Sequence, residues 1–386
     1  MSKYRGRRAD KTAVEVAVDG CTIEHIREVE PDDGLPWLLP VLVDLQQNGA
    51  LGRYYNELHD VSVEHLENVA GLLRRHGVGR CLITLTTYPE APLLQSAAQL
   101  GEWLDERPDL ASLFTGVFHE GIFVSPEDGW RGAHNRDWIR TPDYDYVRQI
   151  DEAIGRRVRM VNVAPEEPGG LEFVAAAVGD GKIAAIGHAS PDAKTIRAAI
   201  ERGASVVTHF GNGAPSYIHR HRNPFWTFLA EKELRLGLIG DGFHLPPDLV
   251  QAALQAKGKQ GCFMVSDASG FSGCEPGDYS CMGGREFVIE PSGRMHLADS
   301  ELLSGAWFQL DRSVEFLISR VGLSFHAAWD LCSRYPAALA GIELPELQPG
   351  AEASFILAHW DDGLVLDQSV HQGQPYLSEP WHPTDL

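Results

Sequence analysis

Eight short, β-rich apolar runs recur between residues 38 and 268, separated by stretches with helical periodicity, and this alternation constrains the fold more than any other feature of the chain. The runs are LLPVLVDLQ (38–46), RCLITLT (80–86), LFTGVFHE (113–120), VRMVNVA (158–164), KIAAIGH (182–188), SVVTHF (205–210), LRLGLIGD (234–241) and CFMVSDA (262–268). Between them, SVEHLENVAGLLRRHG (62–77) places Val63, Leu66, Val69, Leu72 and Leu73 on one apolar helical face, and SPDAKTIRAAIERG (190–203) opens on Ser190 as an N-cap. Eight strands joined by helices close into an α/β barrel of the (β/α)8, TIM type.

The barrel does not use the whole chain. VEVAVDGCTIEHIREVE (14–30) and ASFILAHWDDGLVLDQSVHQGQPYL (353–377) have alternating polarity around Asp-Gly turns, as hairpins do. Neither end holds enough strands for a stable sheet of its own. The two termini are therefore expected to pair into one small β-sandwich domain, residues 1–37 plus 345–386, beside a barrel over 38–344. Helices at roughly 299–321 and 324–340 would connect them.

Charge and cysteine usage narrow the function. Lys and Arg number 33 against 54 Asp and Glu, a net charge of −21, which argues against a nucleic-acid or anionic-membrane surface. Six scattered cysteines suit a reducing cytoplasm better than a disulfide scaffold. The start MSKYRGRRADK has no apolar signal region, and no run approaches the roughly 18 apolar residues of a membrane span. A soluble cytoplasmic protein acting on a small molecule is expected.

In a barrel of this type, chemistry sits where the strands end. Here the polar residues ending the runs are Gln46 and Asn48, His119 and Glu120, His188, His209, Asp241 and His244, and Asp267. Two imidazoles and a carboxylate, His188, His209 and Glu120, are the ligand set of an open catalytic metal site, and Asp267 is placed to relay protons. A lone histidine ending a strand is more often structural; four such residues at one barrel end shift the balance to a site. Adjacent strand residues point to opposite faces, so His119 is given no role if Glu120 points in. A glycosidase needs a carboxylate pair, which Glu120 and Asp267 could mimic, but two histidines beside them fit a metal better.

These motifs resemble the N-acetylglucosamine-6-phosphate deacetylase family of the amidohydrolase superfamily. The resemblance runs through VDLQQNGALG (43–52), FHEGIFVSPEDGWRGAHN (118–135), GHASPDA (187–193), VVTHFGNGAP (206–215), GLIGDGFHLPPDLV (237–250), MVSDASG (264–270) and RYPAALAGI (334–342). It implies hydrolysis of the N-acetyl group of an amino sugar, with N-acetylglucosamine 6-phosphate as first candidate. The implied metal ligands are Glu120, His188 and His209, the acid/base is Asp267, and His134 helps polarise the amide carbonyl. His244 would contact the sugar. The resemblance also implies a homodimer.

Gln46 and Asn48 stand where many amidohydrolases carry an HxH pair for a second metal. Neutral amides are poor ligands, so one divalent ion is expected, zinc first, with iron, manganese or cobalt able to use the same set. The family pattern is altered elsewhere. Its H-L-E-G-P is Phe118-His119-Glu120-Gly121-Ile122 here, and its H-L-Y-N-A-M is His209-Phe210-Gly211-Asn212-Gly213-Ala214. Asn212 and Gly213 are candidate substrate contacts, or an Asn-Gly turn. In His219-Arg220-His221-Arg222, Arg220 aligns best with a phosphate-contacting arginine, and a solvated loop or subunit contact competes with that role. Ala306 and Trp307 follow the pocket-lining position, where the indole could stack on a sugar or fill core. Two alternatives stay open: a deacylase of a different N-acyl amino sugar, and a non-catalytic sugar-phosphate binding protein.

Overall fold

A parallel sheet of eight strands, in chain order, dominates the computed structural model, which describes residues 1–281 and 284–378. The strands are Leu42–Gln47, Val78–Leu85, Phe114–His119, Val158–Val163, Ile183–Ile186, Val206–Val207, Arg235–Ile239 and Cys262–Val265. Alternating side chains serve two cores. Leu42 and Ile83 join the layer between strands and helices, while Val43, Leu45, Leu82, Phe118, Met160 and Phe263 fill the barrel interior. Burial on both faces is why these runs are continuously apolar.

The first and last strands meet through a parallel bridge between Gln47 and Ala268. The Asp267 N–H donates to the Gln46 carbonyl (2.9 Å) and the Asn48 N–H to that of Ala268 (2.8 Å). Asp44, fully buried, adds a carboxylate oxygen that accepts the Ser266 N–H at 3.1 Å. Burial pushes its carboxyl up to about 7. The seam that closes the barrel thus lies directly beneath Asp267.

Helix Val63–Arg75 buries Leu66, Val69, Leu72 and Leu73 against this sheet, as its periodicity predicts. Two expectations are corrected. Helix Ala193–Glu201 is capped by Asp192, whose carboxylate accepts the Thr195 N–H at 2.7 Å; the expected cap, Ser190, gives its N–H to Glu166 instead. Residues 299–310 are not helical. Ala306 bridges Ala268 and Leu303 bridges His296, so this stretch runs extended past the eighth strand before helix Asp311–Ser319 begins. Helices Phe325–Cys332 and Arg334–Ala340 follow.

Both termini enter one seven-stranded sheet, ordered Gln374–Tyr376, Leu364–His371, Phe355–Trp360, Trp37–Leu39, Ser2–Arg7, Ala13–Asp19 and Thr22–Glu28. Its inner face gathers Tyr4, Val14, Val16, Leu38, Phe355 and Val370 into a separate core. Leu38 and Leu39, read from sequence as the start of the first barrel strand, pair instead with Leu357 and Ile356. Pro40, lacking an N–H, ends that strand before the barrel begins. Residues 379–386, which the expected terminal domain takes in, lie outside the described residues.

A three-stranded meander not anticipated from sequence, Gly277–Ser280, Glu286–Ile289 and Met295–Leu297, follows the eighth strand. Phe271, Phe287, Ile289 and Met295 form its own apolar cluster. Among the described residues no helix is long and apolar enough to cross a membrane.

Candidate active site

Glu120, His188, His209 and Asp267 end or follow the third, fifth, sixth and eighth strands, and the barrel brings them together. Three of the four sit in left-handed backbone: φ is +50° at His188, +30° at His209 and +50° at Asp267. Such conformations cost of order 1–3 kcal/mol each and persist where the surroundings fix them. Here they turn each side chain out of the strand direction and over the barrel mouth.

His209 Nε2 lies 3.0 Å from Glu120 Oε1 and 2.9 Å from His188 Nε2, and His188 Nε2 lies 3.6 Å from the same Glu120 oxygen. Ligand atoms at about 2.0–2.2 Å from a tetrahedral zinc sit roughly 3.3 Å apart, so these three separations fit one divalent ion. Glu120, His134 and His188 also bring a ligand atom each within 4.8 Å of one another. The first set is the tighter, and His134 already spends Nδ1 on the Thr87 hydroxyl at 2.7 Å. His188 is held for its role: its Nδ1 faces the Trp130 carbonyl at 3.1 Å, leaving Nε2 to the cluster.

Two glycines make room for that ring. A Cβ on Gly132 (φ +55°) would come within 2.7 Å of His188 Cε1, and one on Gly213 (φ +60°) within 2.7 Å of its Nδ1. Both positions demand glycine on conformational and steric grounds.

Gln46 and Asn48 act as donors. The Gln46 amide nitrogen reaches Glu120 (2.8 Å) and Asp267 (3.0 Å), and that of Asn48 reaches the same Asp267 oxygen at 2.7 Å. Carboxylate oxygens can only accept, so these amides present N–H groups, not lone pairs, to the site. Asn162, which sequence reading passed over, ties the strand ends together: its amide donates to the carbonyls of Glu120 (3.2 Å) and Gly187 (3.1 Å), and its oxygen accepts from Thr208 (2.9 Å).

The charges follow from burial and neighbours. Burial, reinforced by the Glu120 charge, raises Asp267 to about 6. Burial also opposes ionisation of Glu120, but His188 and His209 outweigh it and hold its carboxyl low. Burial, then the nearby His188, pushes His134 well below the usual histidine range, so its ring is neutral. Although burial opposes the charged ring of His244, the Asp241 carboxylate 2.7 Å from its Nδ1 raises it.

These groups floor a cavity of about 590 Å³. Asn48, Glu120, His134, His188, His209, Asn212, Gly213, His244 and Asp267 line it; Arg220, Ala306 and Trp307 do not. Arg220 lies on an exposed loop. Ala306 is buried beneath the site with its N–H on the Asp267 carbonyl. Trp307 packs against the meander cluster, its indole N–H on the Cys274 carbonyl at 2.8 Å, so it fills core. Asn212 faces the cavity while its amide donates to the His209 carbonyl at 3.3 Å, which makes it part of a turn as well. His119 is fully buried beside Phe123 and Tyr146, away from the cavity.

No family model matches the chain. It is 29% identical over 369 residues to the N-acetylglucosamine-6-phosphate deacetylase of Bos taurus, covering 92% of this chain and 85% of that one. It is 26% identical over 333 residues to the Bacillus subtilis (strain 168) protein of the same name, covering 85% and 82%. The structure of a point mutant of the Mycobacterium smegmatis N-acetyl-D-glucosamine-6-phosphate deacetylase in complex with N-acetyl-D-glucosamine-6-phosphate superposes with a TM-score of 0.84 at 22% identity, over 98% of this chain and 100% of that one. By sequence this chain is a homologue of the N-acetylglucosamine-6-phosphate deacetylases, and it has the barrel fold of the amidohydrolase superfamily to which they belong.

Proposed function

We propose that this chain hydrolyses the N-acetyl group of N-acetylglucosamine 6-phosphate, giving glucosamine 6-phosphate and acetate. The observation that carries the reading is the convergence of Glu120, His188 and His209 beside Asp267 on the floor of one cavity. The relatives' shared name supplies the substrate.

Glu120, His188 and His209 would hold one divalent ion, zinc by our reading, which when bound polarises an amide carbonyl and lowers the pKa of water toward about 7. Asp267 takes a proton from the attacking water and, as the C–N bond breaks, passes it to the departing amine nitrogen. Its buried carboxylate lines the same cavity as the three ligand residues and is placed for both steps. Gln46 and Asn48 hold it in place through N–H donors. His134, neutral, offers a ring N–H to the carbonyl oxygen as negative charge develops there. His244, braced by Asp241, contacts the sugar, with Asn212 and Gly213 beside it. The working form is a cytoplasmic homodimer in which the 219–222 loop, Arg220 included, reaches the neighbouring protomer.

The test is acetate release from N-acetylglucosamine 6-phosphate by the metal-loaded protein and by Asp267→Asn, with bound metal measured in both. Turnover should disappear in the variant while metal content stays. Near-normal activity in the variant, or none in the wild type with any of zinc, iron, manganese or cobalt, overturns the reading.

A further inference from the structure

The cavity extends well beyond the residues used above. Tyr54, Asn56 and Glu57 follow the first strand and Thr86, Thr87 and Tyr88 follow the second, and all line it. Gly211 to Ala214, after the sixth strand, line it too. In an eight-stranded barrel with strands in chain order, the second and sixth strands face each other across the axis, so the cavity spans the mouth.

Over the side nearer the first two strands lies the meander. Its second strand begins at Glu286, and Arg285 immediately before it lines the cavity. Among the described residues, Arg285 is the one lysine or arginine that does so. It is partly buried, yet among the described residues no carboxylate lies within 4.0 Å of its guanidinium. Two other arginines, Arg131 nearby and Arg294 before the third meander strand, do have carboxylate partners. Arg131 pairs with Asp128, and Arg294 with Glu290 and Glu301. In a chain with 54 acidic side chains, leaving this guanidinium unpaired in a half-desolvated position is costly unless something else brings the anion.

The meander is anchored well enough to aim it. Phe287, two residues on, is 2% exposed and packs on Phe271 with ring centroids 5.3 Å apart, and the Arg285 carbonyl accepts the Cys281 N–H at 3.1 Å. The Arg285 charge is also felt at His134, where it opposes protonation, so it acts close to the reacting centre.

We infer that Arg285 is an anion-binding residue of this cavity, contacting a negatively charged group on the substrate from within the same chain. The inference rests on the deacylase reading and extends it: the substrate carries an anion, either a phosphate monoester on the sugar or a carboxylate on the acyl group. A planar guanidinium fork meets both chemistries through paired N–H donors.

Wild type, Arg285→Gln and Arg285→Lys are assayed on N-acetylglucosamine, its 6-phosphate and N-succinylglucosamine, with thermal melts confirming folding. Arg285→Gln should lose about tenfold or more in kcat/KM on one charged amide, chiefly through KM, and less than about twofold on neutral N-acetylglucosamine; Arg285→Lys should recover part of the loss. Which charged amide responds identifies where the anion sits. Equal losses on all three, or none on any, overturn the inference while leaving deacylation intact. If the wild type hydrolyses none of them, the deacylase reading falls, and calorimetric titration with inorganic phosphate and with succinate decides the anion site: equal affinities for wild type and Arg285→Gln reject it.

Discussion

The hydroxyl oxygen of Thr87 lies 2.7 Å from Nδ1 of His134 and accepts the N–H of Ile122 at 2.8 Å. With one lone pair taken by Ile122, the hydroxyl still has its own proton to give to the ring, and in that arrangement Nδ1 accepts and the His134 proton sits on Nε2. This is the tautomer that the role proposed for His134 requires, with Nε2 left to donate to a carbonyl. Thr87→Val keeps the shape and removes the bond. It should lower kcat by about 10- to 100-fold with a smaller change in KM, and Thr87→Ser should restore most of the activity. The ¹⁵N shifts of His134 should report a change of tautomer in the Val variant. Unchanged shifts and kcat in Thr87→Val would remove Thr87 from the mechanism.

Asn162 offers a second test, since it touches no candidate ligand's side chain yet holds the Glu120 and Gly187 backbone carbonyls and the Thr208 hydroxyl. Asn162→Leu should weaken zinc binding by about 10- to 100-fold, as loss of supporting hydrogen bonds around metal ligands does. Competition against a chromophoric chelator measures it. Zinc affinity equal to wild type would mean that the strand ends hold themselves in place.

The barrel was legible because each strand is buried on two faces and so is apolar throughout, while residues such as His188, His209 and Asp267 interrupt that pattern where the strands stop. The supports were less visible. Asn162 sits inside an apolar run, where one polar residue reads as noise, and Thr87 becomes meaningful only when the third strand's loop folds over it. Arg285 lies on the meander, whose three- and four-residue strands are too short to show a periodic pattern. Trp307 was ambiguous for another reason: an aromatic after a pocket-lining segment can face either way, and only its contacts with the meander decide. Likewise, the exposed 219–222 loop is conspicuous in sequence by its charge, whereas among the described residues the lysine or arginine lining this cavity is the single Arg285.

His119 should be replaceable with profit. It is fully buried, among the described residues neither ring nitrogen has a hydrogen-bond partner, and burial pushes it down to about 4. Leucine stands at this position in the H-L-E-G-P pattern of the resembling family. His119→Leu removes unsatisfied polar atoms from contact with Phe123 and Tyr146, and should raise unfolding free energy by about 1–3 kcal/mol. Chemical denaturation is the measurement. A less stable variant would show that the imidazole has a polar partner of its own.

His371 predicts a pH dependence in the terminal sheet. Burial first, and the nearby Arg74 charge second, depress it to about 3, while its ring nitrogen shares a 2.6 Å hydrogen bond with the Ser369 hydroxyl. The unfolded chain would protonate this ring near pH 6.5, the folded chain only near pH 3. Between those values the unfolded state binds the extra proton, so stability from this group is fully present above about pH 6.5 and falls as pH drops toward 3, by at most about 1.4 kcal/mol per pH unit. His371→Gln keeps a hydrogen-bonding side chain without a titrating ring. Comparing urea midpoints of the two proteins from pH 7 to pH 4 should show a steeper decline for the wild type; parallel curves would mean that His371 titrates alike folded and unfolded.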